Sequence, residues 1–400
     1  MKSSPKKYTF TLISFAIMAS AAFSATADNH SSFSDALISG KASANLNLRY
    51  ESVEQDNAKK DASAFTIRTR LSYTTGAFDG FSATAELENA VAIMNDFNNT
   101  LGERVKYSVV ADPEHTELDQ AYIQYKTNKL IGKIGRQVIT MNNHRFIGHV
   151  GWRQDRQTFD GLTLGYQVND VTKVSYAYLS KRNRIFSDEK DIDAKDHLLN
   201  LSYKLSTGTL TGYAYLLEED KVDGAAIDTF GFRYASSKNF NGNEFTYSAE
   251  FALQENNTTN KSASYLALEA GTLLSNISVK AGYELLGSDN GKFGFTTPLA
   301  TLHKFNGWAD QFLETPEQGL QDIYVSVGGK LAGGSWTLVA HDFSADEASA
   351  KVDDLGSEIN AVYIKAINKT FKTGIKYAVY NAGDIKVDAN KLWIWLEAKF

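Results

Sequence analysis

The sequence contains no cysteine, so disulfide bonds contribute nothing to the stability of the protein. Exported proteins often rely on disulfides, so an exported chain of this kind must be stabilised in another way. Proline is also scarce, with 4 residues in 400, whereas tyrosine and phenylalanine are abundant, with 20 and 23 residues. Because proline cannot donate a ladder hydrogen bond, this composition favours a chain built largely of paired β-strands.

The sequence also lacks a basic stretch and, after residue 27, any apolar run of about 18 residues. We therefore expect no transmembrane helix in the mature chain. The 41 basic and 47 acidic residues give a net charge of -6, and without the three lysines of the N-terminal segment the balance becomes 38 against 47, or -9. This acidic balance argues against nucleic acid as a partner, because no segment could neutralise a phosphate backbone.

The N-terminal segment has the three parts of a secretory signal peptide. Three lysines within the first seven residues form a basic region, a mostly apolar stretch covers 10–23, and Ala25-Thr26-Ala27 provides a small-x-small cleavage pattern. The apolar stretch is shorter than the ~20 residues of a spanning helix, which disfavours an uncleaved anchor. We predict a signal peptide at residues 1–27, followed by a mature chain at residues 28–400.

Apolar and polar residues alternate over segments of about ten residues in much of the remaining chain. The segments 42–50, 65–73 and 277–285 are examples. A period of two gives a strand one apolar and one polar face. A soluble β-sandwich would alternate too, but about ten residues is the length of a tilted membrane-crossing strand, and charges such as Arg68 and Glu86 lie at mid-strand on the polar faces. The pattern therefore favours transmembrane strands with a polar lumen.

The spacing of these segments predicts an all-β fold, an 18-stranded antiparallel transmembrane β-barrel. Residues 28–400 would form this outer-membrane β-barrel as a single domain. The even strand number is typical of bacterial single-chain barrels, as are short periplasmic turns after even-numbered strands and long extracellular loops after odd-numbered ones. The predicted long loops cover 89–116, 140–157, 181–195, 286–319 and 343–357. The predicted strand centres are residues 46, 69, 85, 122, 134, 164, 176, 201, 213, 231, 249, 267, 281, 325, 338, 362, 375 and 395.

The C-terminal strand alternates from Leu392 to Phe400 and ends the chain on an aromatic residue. This arrangement is typical of an outer-membrane assembly signal, so we predict that Phe400 marks the chain for the barrel assembly machinery and that the last strand pairs with the first. If Phe400 faces lipid, Trp393 and Trp395 face the lumen, and a register slip of one residue would reverse this orientation.

Two loop segments carry a family resemblance. The first contains Gly135-Arg136-Gln137, Arg145-Phe146-Ile147-Gly148 and Gly151-Trp152-Arg153-Gln154, and the second covers Pro298–Asp310. With these segments, most of the chain after residue 27 resembles the alginate export family of outer-membrane proteins. The resemblance implies an eighteen-stranded barrel whose narrow pore is constricted by inward-folded loops and lined by charged side chains. Members named for alginate pass a polyanion outward through a strongly basic lumen.

Charged and aromatic residues of these loops and of the early strands are the candidates for the pore constriction. An arginine cluster could select anions through paired hydrogen bonds to carboxylate or phosphate. The inward faces also carry acids such as Glu86 and Glu284, so the arginines could instead pair across strands and stiffen the wall. The candidate tryptophans could hold sugar rings or pack the loops against the wall. The candidates are Arg49, Arg68, Arg70, Arg136, Arg145, Arg153, Arg156, His303, Lys304, Trp152, Trp308 and Asp310.

No catalytic, cofactor-binding or metal-binding residue is predicted. The seven histidines belong to no Gly-x-Ser-x-Gly or His-Glu-x-x-His motif, and no cofactor is expected. The acidic loop Asp188–Asp193 could bind a divalent cation through oxygens, although a solvated loop tip is the interpretation we favour.

The function we predict is an outer-membrane channel, porin-like, for passive or weakly selective passage of small or oligomeric carbohydrate or carboxylate solutes. The alternative is an outer-membrane enzyme or adhesin whose long loops act on a barrel anchor. The expected partners are outer-membrane lipid, lipopolysaccharide, the barrel assembly machinery and the solute. The expected location is the outer membrane of a Gram-negative cell.

Overall fold

The computed structural model describes residues 32–221, 224–240 and 242–400. The predicted signal peptide at residues 1–27 lies outside the described residues. The described chain begins with one short helix, α1 (Phe33–Ile38), whose first turn is capped by the Ser32 hydroxyl accepting from the Asp35 amide at 3.1 Å. No helix in the described ranges is both long and apolar enough to cross a membrane.

Eighteen antiparallel strands follow α1, and each one pairs with the next along the chain. Every predicted strand centre lies within one of them, so the predicted fold class and strand number are confirmed. The strands are β1 (Lys41–Gln55), β2 (Ala62–Thr74), β3 (Phe81–Asp96), β4 (His115–Lys126), β5 (Leu130–Gln137), β6 (Thr158–Gln167), β7 (Thr172–Asn183), β8 (Ile192–Leu205), β9 (Gly208–Glu218), β10 (Ala226–Phe240), β11 (Asn243–Asn256), β12 (Lys261–Leu274), β13 (Ile277–Leu286), β14 (Leu320–Leu331), β15 (Gly334–Ser344), β16 (Asp354–Ala366), β17 (Phe371–Asn381) and β18 (Ala389–Lys399).

The barrel closes where β18 pairs with β1. In this register Leu46 lies opposite Ala398 and Arg49 lies opposite Trp395. The ladder extends to the last residue, because the Phe400 amide donates to the Ala44 carbonyl at 2.9 Å and its carbonyl accepts from the Ala44 amide at 3.1 Å. The predicted pairing of the last strand with the first is therefore confirmed, and neither strand is left with a free edge.

The two faces of the wall differ as the alternation predicts. Large apolar side chains such as Leu201, Phe232 and Ile359 are exposed on the outer face, where a lipid bilayer would cover them. Charged side chains such as Arg49, Glu88 and Glu250 point inward and are buried. In β18, Ile394 is exposed while Trp393 and Trp395 are buried against the interior, so the predicted lumen orientation of both tryptophans is correct.

The connections also follow the predicted asymmetry. The connections after even-numbered strands are short, as at 127–129, 206–207 and 332–333. The longest connections leave the opposite end of the barrel, at 138–157 and 287–319. Both fold back into the lumen, and we call them the inner loops.

Gly135 allows close approach of β4 and β5. Its φ is +121°, and a Cβ atom placed on it would lie 2.2 Å from the carbonyl oxygen of Ala121. We expect Gly135→Ala to lower the free energy of unfolding by about 1–3 kcal/mol, because the alanine must adopt a strained φ and push β4 away. Urea unfolding of the refolded barrel measures this change. The matched control is Gly212→Ala in β9, where the added Cβ meets nothing within 4 Å. Equal stability of the two variants would contradict the argument.

Candidate functional site

The two inner loops contact each other inside the barrel and form one unit. Ile147 and Leu299 form a parallel bridge, in which the Gly148 amide donates to the Leu299 carbonyl at 2.7 Å. The Thr301 amide donates to the His144 carbonyl at 3.0 Å. These backbone bonds join segments more than 140 residues apart in sequence, so a displacement of one loop would disturb the other.

Arg145 attaches this unit to the wall. Its guanidinium is 1% exposed and donates to Glu284 of β13 at 2.6 Å, to Asn306 at 2.9 Å and to Thr297 at 3.3 Å. The Asn306 amide also donates to Glu284 at 2.6 Å. Since Thr297 and Asn306 belong to the second inner loop, one arginine connects both loops and a strand. A charge buried this deeply is tolerated because it is paired and hydrogen-bonded.

A second network attaches the loops to another part of the wall, formed by β1 and β18. Arg153 donates to Glu51 of β1 at 2.9 Å and to Asp310 of the second loop at 3.2 Å. Asp310 also accepts from Lys391 of β18 at 3.0 Å and lies 2.6 Å from the ring nitrogen Nδ1 of His303. All of these side chains are shielded from solvent inside the barrel. The predicted candidates Arg153, His303 and Asp310 therefore lie together.

The candidate tryptophans lie in the same region. Trp152 stacks on His303 with ring centroids 4.8 Å apart and meets the edges of Trp393 and Trp395. The Lys376 ammonium of β17 lies over the ring of Trp152 at 4.3 Å. The same ammonium lies over the ring of Trp308 at 4.0 Å. These contacts pack the inner loops against β17 and β18, which is one of the two roles considered for the tryptophans; sugar binding by them stays a prediction.

The other candidate arginines are mostly paired with acids. Arg49 donates to Asp112, Arg70 to Glu88, Arg136 to Asp160 at 2.8 Å and Arg156 to Asp119 at 2.5 Å. Among the seven candidate arginines, Arg68 differs: it donates to Asn45 and has no carboxylate within ion-pair distance in the described chain. The lumen is therefore mixed in charge, with its arginines largely neutralised by neighbouring carboxylates.

A cavity of 370 Å³ lies between the inner loops and strands β10–β15. Residues such as Ser278 and Gly328 line it, so it extends toward the short turns. Most of its charges are paired, as in Arg233–Glu250 at 3.3 Å and Lys280–Glu269 at 3.0 Å. The aromatic and charged residues in its lining include Tyr265, Tyr324, Phe305, Glu250, Glu269 and Lys304.

Lys304 of the second inner loop places its positive charge in the lining of this cavity. Its ammonium donates to the Asn143 carbonyl at 2.7 Å and has no acidic side chain within ion-pair distance in the described chain. The surrounding wall removes part of the water around the ammonium, and the charge of Lys280 repels it, so the pKa of Lys304 falls to about 8. Lys304 therefore titrates close to physiological pH.

The family described as alginate export matches residues 41–287, more than half of the chain. The chain belongs to the alginate export family. No curated protein matches this member of the family at a significant level.

Solved structures share the fold of this alginate export family member. OccAB4 of Acinetobacter baumannii has 15% identity and a TM-score of 0.70, with 90% of this chain and 98% of that chain covered. OccK9 (OpdG) of Pseudomonas aeruginosa has 12% identity and a TM-score of 0.72, with 91% and 100% covered. At such identities the likeness shows the fold alone, which is that of a porin-like outer-membrane barrel.

Several residues of the two networks were not among the sequence candidates. Lys376 and Lys391 lie on the inward faces of β17 and β18, so the strand alternation could have identified them. Asp112 and Asn306 are loop residues, and no periodicity in the sequence distinguishes them from solvated loop positions. Their partners are brought to them only by the closed barrel.

We expect Arg145→Ala to detach the inner loops from β13. Removal of the guanidinium leaves Glu284 buried without its charge partner, which costs about 3–5 kcal/mol. Hydrogen exchange should show loss of protection in 287–319, and urea unfolding should show lower stability. The matched control is Lys195→Ala, which removes an exposed ion pair with Asp220 and should leave both readouts nearly unchanged. Unchanged exchange in the Arg145 variant would refute the anchoring role.

Proposed function

We propose that this barrel is a passive, weakly selective channel for small carbohydrate or carboxylate solutes in the outer membrane of a Gram-negative cell. We also propose that residues 1–27 are a cleaved signal peptide and that residues 28–400 form the mature barrel. Outer-membrane lipid and lipopolysaccharide would then surround the apolar outer face. The barrel assembly machinery would insert the chain through its C-terminal strand.

The observation that carries the proposal is the partly filled lumen. The inner loops cross the interior and are held to β1, β13 and β18, while a polar cavity of 370 Å³ stays open beside them. Known small-molecule sites enclose roughly 300–1,000 Å³. A restriction of this size supports passage of small solutes more than passage of a long polymer.

The lining of the cavity supports a hydroxyl-rich or weakly acidic solute. Tyr265, Tyr324 and Phe305 offer aromatic faces beside acidic and basic side chains, a combination that suits sugar rings. A strongly anionic polymer would need unpaired cations along its path. Since the arginines facing the lumen are mostly neutralised by carboxylates, the charge pattern favours weak selectivity over the basic lumen associated with alginate itself.

The first experiment is planar-bilayer recording of the refolded barrel. We expect small, uniform conductance steps, because the inner loops leave only part of the lumen free. Liposome swelling should then show faster entry of monosaccharides than of oligosaccharides. The Arg145→Ala variant, with displaced loops, should show larger steps. Absence of single-channel conductance from folded barrels would sink the channel proposal and favour an enzyme or adhesin.

The charge of Lys304 should make ion selectivity depend on pH. The ammonium is present below its pKa of about 8 and is lost as the pH rises through that value. We therefore expect the anion preference, taken from reversal potentials in asymmetric salt, to fall between pH 7 and pH 9.

Lys304→Gln should abolish this pH dependence and show a low anion preference throughout the range. Lys369→Gln, which removes an exposed lysine from a short turn, provides the matched control and should behave as the unmodified protein does. The same pH profile in all three proteins would show that Lys304 does not set the selectivity.

A further inference from the structure

Four potential metal ligands meet where the first inner loop approaches the wall. They are Glu88 of β3, His115 and Glu117 of β4, and Asp155 of the loop 138–157. One ligand atom from each residue lies within 4.8 Å of those of the others. The cluster is separate from the cavity between the inner loops and β10–β15, and the proposed solute path makes no use of it.

Asp155 is the unusual member of this cluster. Its side chain is 1% exposed, and its Oδ1 atom is buried without any hydrogen-bond partner. Its Oδ2 atom accepts only from the Ser187 amide, at 3.4 Å. No lysine or arginine lies within ion-pair distance of Asp155 in the described ranges. A buried carboxylate in this condition is costly unless a cation or a proton compensates it.

The neighbouring cations are already engaged by the other two carboxylates. Arg70 donates to Glu88, and Arg136 lies 3.9 Å from Glu117. Arg70 and Arg136 also pair with Asp119 and Asp160, and neither guanidinium lies within ion-pair distance of Asp155. The cluster thus lacks positive charge at the position of Asp155.

The histidine is oriented in a way that suits metal ligation. Its Nδ1 atom lies 3.2 Å from the Pro113 carbonyl, so a proton on Nδ1 is donated to that oxygen. In the neutral tautomer with its proton on Nδ1, Nε2 and Glu88 Oε1 are both acceptors 3.2 Å apart, so either a second ring proton or a metal ion has to lie between them. A carbonyl that holds the second ring nitrogen is a usual outer-shell partner of metal-bound histidine, and a cation between the two acceptors removes their repulsion.

We propose that Glu88, His115, Glu117 and Asp155 bind one divalent transition-metal ion, which fastens the inner loop 138–157 to β3 and β4. One imidazole with three carboxylates matches the nitrogen and oxygen ligands of Zn²⁺. A purely hard cation such as Ca²⁺ would prefer oxygen ligands alone. The inference does not depend on which solute passes through the barrel.

Calorimetric titration of the untagged, EDTA-treated barrel with ZnCl₂ in detergent tests the proposal. We expect one Zn²⁺ per folded chain, and loss of this binding step in both Asp155→Asn and His115→Gln. The matched control carries Asp188→Asn and Glu189→Gln in the exposed acidic loop and should bind as the unmodified protein does. Far-UV circular dichroism checks that each variant has folded.

Zinc X-ray absorption of the unmodified protein provides a readout that does not require any variant to fold. We expect a single imidazole in a nitrogen and oxygen shell at about 2.0–2.2 Å. Several imidazoles in that shell would mean adventitious binding elsewhere and would overturn the proposal. Absence of Zn²⁺ binding, or equal binding by both ligand variants, would also overturn it. In that case a proton shared among the carboxylates accounts for the cluster.

Discussion

A strand in a lipid bilayer has no water with which to satisfy its backbone, so every N–H and C=O must find its partner within the protein. The pairing of β18 with β1 meets this requirement for the whole sheet, because it removes the only two edges that eighteen strands would otherwise leave. The last residue takes part, as Phe400 exchanges two backbone hydrogen bonds with Ala44. The remaining features of the molecule depend on this closure, which creates a polar interior separated from the lipid.

Closure also determines what the interior can contain. Inward residues of the strands are polar by the period-two pattern, and the inner loops add further charges to the same volume. Charges packed in this way are costly unless they are paired, and the structure pairs Arg145 with Glu284 and Arg153 with Glu51. The ion pairs therefore position the loops as well as neutralise the lumen. The same ion-paired side chains thus determine how much of the pore stays open and keep the net charge of its lining low.

The alternation, the short turns and the terminal strand were sufficient to predict the strand number, the closure and the inward orientation of Trp393 and Trp395. These features depend on local periodicity, which a sequence displays directly. The partner of each arginine could not be obtained in this way. Arg145 and Glu284 are 139 residues apart, and Arg153 and Asp310 are 157 apart. Such contacts arise because the barrel closes and the loops fold into it. Asp112 and Asp155 differ from solvated loop acids only because their loops place them inside the barrel.

Membership of the alginate export family therefore says less about the solute than about the architecture. An arginine that is bound by a carboxylate on the next strand stiffens the wall, and it offers a passing anion little unless that carboxylate is displaced. The same residue without such a partner attracts anions. Arg68 and Lys304 come closest to the second condition in the described chain, since neither has an acidic partner within ion-pair distance. Selectivity in a barrel of this kind depends on the few cations left unpaired, so a count of arginines in the sequence overstates how strongly the pore prefers anions.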